Sequence, residues 1–429
     1  MTDLIVANLL GCLLVGVGSI LFAWMVLRRK YNFLMSPLGF QITMLGAYMA
    51  ASGIPIFGKI TSVWLATLGP QVVFFVSLVF VLAHGVPANK IAAKVKENRS
   101  RVTGDPLLVW FFILLAVFVS MYFLINVIGS GFSVDKNGLE GRVAVASQNK
   151  ILFYIFVMTP LFLSIGIHLF RGPMRWLSIV LAVCTSVISL LSGSKGGLLT
   201  LCVIAVSCFY LLWLDGELPD RQGRKIQFRM LWLVAIAMIV TPVLLVNSSA
   251  TLGLFAMVAR LLSGFDMIIF LGITYDSIGQ IQNMFSTHHL SAFSFIFATP
   301  MKILGVYDQR YDSMSKFLWD NALGFPDEEN LPNDNLFVTL SIGVSPLFSF
   351  IMALVLPVLF GSLYNTLLRR RYDSCFHLLL FWWLSGNIVS CILSPQLSIS
   401  SLLALGVVYG AAAFLSWISR QFHSSVHCR

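Results

Sequence analysis

Runs of about twenty apolar residues alternate along the chain with short polar breaks. A helix needs about 20 such residues to cross roughly 30 Å of hydrocarbon. Eleven runs meet that length, near 4–27, 33–57, 62–84, 106–130, 151–170, 176–192, 198–214, 230–247, 336–365, 374–394 and 397–418. The pattern predicts an all-α fold, a polytopic integral membrane protein with about 11 transmembrane helices. Helices 1–8 fall in residues 1–247, a large outer loop in 248–335, and helices 9–11 with a tail in 336–429. No soluble domain is expected at either end, and no internal repeat of the transporter kind is visible.

Composition strengthens this picture. Hydrophobic residues make up 58% of the 429 and charged residues 11%, against about 25% charge in a soluble domain. Mean hydropathy is +0.88. Such a chain has too little polar surface to cover itself in water. The net charge of +10 would suit nucleic acid, but the charges sit in short loops between apolar runs, so no nucleic-acid partner is expected. Membrane lipid is. The 35 Phe and 10 Trp suit lipid contact and interface anchoring. The seven cysteines form no CxxC pair, which argues against a disulfide framework or a zinc site.

Charge placement orients the helices. The first run opens with Asp3 and is followed by Arg28, Arg29 and Lys30, the reverse of a signal peptide. Cytoplasmic loops carry the excess of lysine and arginine. With the N-terminus outside and the C-terminus inside, the inner loops hold 19 of the 28 basic residues and only 6 of the 18 acidic ones. His84 and His168 then fall at inner ends of spans, as interfacial residues.

The stretch 248–335 is an outer loop of some 88 residues. A connection this long is functional or disordered, and its Phe, Leu and Ile content argues against disorder. Thr251–Ile278 and Leu290–Val306 read as amphipathic or re-entrant helices. Two further spans would keep the parity, but 279–289 has no Lys or Arg and would then be cytoplasmic. An outer lid lying on the membrane is the expectation.

Familiar enzyme signatures are missing from the sequence: HExxH, GxSxG, GxxxxGK[ST], and GxGxxG after a strand. Asp327-Glu328-Glu329 reads as a solvated turn, and no cofactor is expected. What stands out is a set of outer-face cations, which the positive-inside bias disfavours. They are Arg142 in Gly138-Leu139-Glu140-Gly141-Arg142, Lys195 in Ser192-Gly193-Ser194-Lys195-Gly196-Gly197, Arg260 in an apolar stretch ahead of Phe265-Asp266, and Arg310 between Asp308 and Asp312. A lysine followed by glycines at a helix N-terminus makes an anion site; the same pattern also suits a tight hairpin with a snorkelling lysine. Arg142 could pair with Glu140, Arg260 could sit in a structural ion pair, and the two aspartates could neutralise Arg310. His288-His289 could supply a base near neutral pH or be plain loop residues. Asn333-Asp334-Asn335, just before the ninth run, suits a helix cap or hydrogen bonds to sugar hydroxyls.

Many spans, the SGSKGG step between two of them, and a long outer loop with an arginine followed by Phe-Asp resemble the bacterial O-antigen polymerases, the Wzy family. The likeness covers most of the chain in layout. It implies a fold like the multi-span C-type glycosyltransferases, in the inner membrane of Gram-negative bacteria. It also implies periplasmic transfer of a growing glycan from undecaprenyl diphosphate to a fresh lipid-linked repeat unit, with a chain-length regulator as partner. On that reading Arg142, Lys195 and Arg260 hold the diphosphates, with help from Arg310. Asp266, or a histidine of the His288-His289 pair, orients or deprotonates the acceptor hydroxyl. Fixed cations suit a leaving group that gains negative charge, so no metal is needed. A second arginine-rich segment of the family, which would match Arg310, is not found here. The O-antigen ligases share the layout. A transporter is the rival from another class, since Gly216-Glu217-Leu218-Pro219-Asp220-Arg221-Gln222-Gly223-Arg224-Lys225 looks like the loop of the major facilitator superfamily. Here that loop follows the seventh of eleven runs, which does not match the superfamily's order.

Overall fold

The computed structural model describes residues 8–28, 36–56, 60–85, 106–129, 150–170, 172–191, 208–215, 266–288, 291–303, 305–306, 311, 313–322 and 334–427. Among these every regular element is helical. Six helices are long and apolar enough to cross a membrane, starting at Leu10, Ser62, Leu107, Pro346, Cys375 and Pro395. The protein is therefore a helical membrane protein. Packing groups the chain into two compact units that do not follow sequence order. The first combines 1–87, 238–365 and 386–399, and the second 88–237, 366–385 and 400–429.

In the first unit, α1 (Leu9–Leu27) packs against α2 (Pro37–Tyr48) and α3 (Gly53–Ile56). A 3₁₀ turn, Met49–Ser52, separates α2 from α3, so the run predicted over 33–57 is not one regular helix. Pro55 lies just beyond that turn and has no N–H to continue an α-helical ladder. The helices approach closely because their facing residues are small. A Cβ on Gly53 would lie 2.4 Å from the backbone nitrogen of Cys12. Small residues allow this backbone approach where lipid supplies no hydrophobic drive.

The third run becomes α4 (Ser62–Ala83), capped by the Thr61 hydroxyl, with Pro70 inside it. Five short helices follow later in the chain: α8 (Asp266–Thr274), α9 (Ile278–Thr287), α10 (Ala292–Ile296), α11 (Ala298–Ile303) and α12 (Met314–Ala322). Ile281, Phe285, Phe295 and Phe317 of these helices, and Tyr311 from between α11 and α12, are all buried. Ring centroids lie 5.8 Å apart for Phe285–Phe295 and 5.6 Å for Phe285–Phe317. The segment thus has an aromatic core of its own, docked on α4: Gly272 sits against the Trp64 ring, and the Ser62 hydroxyl donates to the Asp276 carbonyl at 3.0 Å.

The ninth run is where structure and sequence part. In place of one span over 336–365, the chain forms a half-helix, α13 (Leu336–Gly343), and then a full helix, α14 (Pro346–Arg370). Pro346 cannot donate to a preceding turn and pushes Ser345 out of the helical region. The Ser345 hydroxyl instead accepts the Phe348 N–H at 3.1 Å, starting α14 afresh. The two helices run in opposite directions along α4. Ser341 meets Ala66 while Asn335 meets Gln71, so α13 is antiparallel to α4. Phe350 meets Gly69 and Gly361 meets Val81, so α14 is parallel to it. At 1.5 Å per residue, α13 is about 12 Å long, under half a bilayer. Phe337 through Ile342 are all buried.

In the second unit, α5 (Pro106–Gly129), α6 (Lys150–Leu169) and α7 (Pro173–Leu191) pack together. Stacked Phe123–Phe156 rings, 4.3 Å apart, sit in the α5–α6 seam. A Cβ on Gly166 would meet both Ser178 and Ile113. The parts of α15 (Cys375–Leu393) and α16 (Pro395–His427) that belong to this unit, up to Ser385 and from Ser400, are joined by the Trp383 indole N–H to Ser401 at 2.9 Å.

Candidate functional site

The first unit holds a polar cluster built around the N-terminus of α13. Its origin is a proline. Pro70 has no N–H, so the Ala66 carbonyl one turn earlier has no helical partner. The Ser341 hydroxyl donates to that carbonyl at 2.6 Å, docking α13 on α4. One residue on, Gln71 donates from Nε2 to Asn335 Oδ1 at 2.5 Å. The same Oδ1 accepts the N–H groups of Phe337 and Val338, at 3.0 and 3.3 Å. Asn335 is thus the N-cap of α13, and both it and Gln71 are 1% exposed. Asn335 Nδ2 and Gln71 Oε1 are buried with no hydrogen-bond partner among the described residues.

Asp334 extends the cluster. Its Oδ1 accepts the Ser315 N–H and hydroxyl at 2.9 and 2.6 Å, and its Oδ2 accepts Gln396 Nε2 at 3.0 Å. Ser315 lies in the first turn of α12 and Gln396 in the first turn of α16, so this carboxylate ties the short-helix segment to one long helix, α16. His288, at the C-terminal end of α9, is exposed and meets the Phe317 ring edge-on at 5.4 Å. His288 and Asp334 therefore touch α12 two residues apart. Asp266 is the first residue of α8.

Asp334 and Asn335 are brought together, and the cap expected of the Asx triplet is formed by Asn335. Arg142, Lys195, Arg260, Arg310, His289 and Asn333 lie outside the described residues. Gln71, Ser315 and Gln396 carry no motif. For Gln71 a signal was present: an amide beside a proline, ten residues into an otherwise apolar run, is the kind of intramembrane polar group that asks for a partner.

The second unit holds a different cluster, of charge. Arg371 Nη2 lies 3.0 Å from Asp215 Oδ1, and Arg371 Nη1 donates to the Leu368 carbonyl at 2.6 Å. His168 Nε2 lies 3.3 Å from Asp215 Oδ2, and the Tyr372 hydroxyl donates to the same oxygen. His168 and Arg371 are fully buried. Asp215 lies just past the apolar run 198–214. Burial pushes its carboxyl up, but the hydrogen bond and charge of His168, the Arg371 guanidinium and the Tyr372 hydroxyl outweigh this and bring it down to about 2. His168, expected as an interfacial residue, is enclosed by protein.

No family model, curated protein or solved structure matches this chain.

Proposed function

We propose that the chain is a glycosyltransferase of the inner membrane that polymerises lipid-linked oligosaccharide repeat units on the periplasmic face. The observation that carries this reading is the half-helix α13. Its N-terminus, with Asp334, Asn335 and Gln71, lies among apolar helices and beneath a folded segment of short helices. Non-helical backbone at membrane depth is tolerated where it is buried in protein or lines a cavity. Polar groups there fit a substrate that is half lipid and half sugar. Under the proposed topology the short helices form an outer cover, and the cations Arg142, Lys195 and Arg260, with Arg310 assisting, grip the diphosphate as the glycosidic bond breaks. Asp266 orients or deprotonates the acceptor hydroxyl. The growing glycan leaves undecaprenyl diphosphate for the non-reducing end of a fresh repeat unit, and a chain-length regulator limits the product.

The test is a purified assay with lipid-linked repeat units and no nucleotide sugar. A ladder of products that is lost in Arg142→Ala, Lys195→Ala and Arg260→Ala is the expected result. A ladder unchanged in all three removes the assignment. The half-helix also favours one second reading, since discontinuous helices of this kind build the sites of transporters. Movement of unaltered lipid-linked oligosaccharide across the bilayer would select a flippase.

A further inference from the structure

We propose that the N-terminus of α13, together with Gln71, is a subsite for an uncharged sugar of the acceptor, separate from the diphosphate. The inference deepens the polymerase reading and rests on it for the identity of the glycan. The cap of α13 is fully used, since Asn335 Oδ1 already accepts three hydrogen bonds. The other half of each amide is not used. Among the described residues Asn335 Nδ2 and Gln71 Oε1 are buried without a partner, in side chains that bond each other. Most interior polar groups are paired in native proteins, and here a donor and an acceptor on two mutually bonded side chains are left together, which gives an occupant a pair of bonds to complete.

The chemistry of the two atoms selects it. One is a donor, the other an acceptor, and neither is charged. A sugar hydroxyl or an acetamido group both donates and accepts, and satisfies the pair at once. A phosphate offers acceptors alone and would leave Gln71 Oε1 unfilled. It would also face the Asp334 carboxylate next in the chain, which like charge disfavours. Asp334 is half-buried, and its bonds from the Ser315 and Gln396 side chains are of a kind that sugar hydroxyls replace. Exchange at Asp334 gives the ligand a way to the enclosed amides.

The variants that test this keep the cap and the side-chain volume. Asn335→Asp retains an oxygen to cap α13 and removes the Nδ2 donor, and Gln71→Leu removes the acceptor, along with the Nε2 bond to Asn335, with little change in size; thermal unfolding of each variant checks that the fold is kept. Full-length protein in nanodiscs is titrated with two probes. One is the free oligosaccharide released by mild acid from the host's lipid-linked repeat unit; the other is undecaprenyl diphosphate. The expected result is a loss of at least about tenfold in oligosaccharide affinity for each variant, with undecaprenyl diphosphate affinity unchanged; each tenfold corresponds to about 1.4 kcal/mol. Wild-type oligosaccharide affinity in both variants overturns the subsite and leaves a bound water as the occupant. So does wild-type protein that binds undecaprenyl diphosphate but no oligosaccharide. The polymerase reading is judged separately, by the ladder. Ladders with unaffected variants remove the subsite alone, and variant-sensitive oligosaccharide binding without ladders removes the polymerase alone.

Discussion

The two polar clusters solve the burial of polar groups in opposite ways. Around Asp215 the groups are ionic and mutually paired: carboxylate, guanidinium, imidazole and phenol converge on two oxygens. Around Asn335 the groups are mostly neutral amides and hydroxyls; among the described residues Asn335 Nδ2 and Gln71 Oε1 have no hydrogen-bond partner, and in the ionic cluster neither does Arg371 Nε. Breaking a buried ion pair strands a charge, whereas losing a neutral hydrogen bond strands a dipole, and the costs differ several-fold. A change of partners therefore costs more in the ionic cluster than in the amide cluster.

The sharpest test of that contrast is Arg371→Met. It leaves Asp215 enclosed without its guanidinium and should cost about 3–5 kcal/mol, read as a fall in the unfolding midpoint of detergent-purified protein. The double variant Asp215→Leu/Arg371→Met should recover most of the loss. A double variant no better than the single one would mean that the cluster does not act as a pair.

A smaller effect follows from acid. The Asp215 carboxyl is held at about 2, below its ordinary 3.8. A depressed carboxyl contributes its stability above the unfolded value and loses it as pH falls through the folded one. That contribution is on the order of 2 kcal/mol and should disappear between pH 3.8 and about 2. The midpoints of wild type and Asp215→Asn should converge across that window; a gap that stays constant removes the electrostatic account.

The smallest effect belongs to the amide side. Ser341→Ala frees the Ala66 carbonyl beside Pro70 and should cost about 1 kcal/mol. Because it loosens α13 from α4, hydrogen exchange at Phe337–Ile342 should rise while α15 and α16 keep their protection. Uniform exchange in α13 and α16 would show that the half-helix is not docked through that bond.

Much of the fold was legible in the apolar runs. The predicted runs at 62–84, 106–130, 374–394 and 397–418 begin within a residue or two of α4, α5, α15 and α16. Legibility was lower at the clusters. Arg371 reads in sequence as one of three basic residues in a loop, and nothing local tells that it alone of Arg369, Arg370 and Arg371 turns inward. Its partners, Asp215 and His168, are 156 and 203 residues away. Gln71 and Asn335 are 264 residues apart, and only packing makes them neighbours.

By itself the sequence determined that the chain is helical and suited to a membrane, because helix formation and hydrophobic length are properties of a local run. It also carried the punctuation, in Ser345-Pro346, that ends α13. Whether the apolar residues before that punctuation cross the bilayer or fold back against α4 was a tertiary decision. An eight-residue helix cannot span, so it persists where neighbours satisfy its open N–H groups and cover its sides, and Gln71, Ala66 and the short aromatic helices come together to do so only in the folded protein.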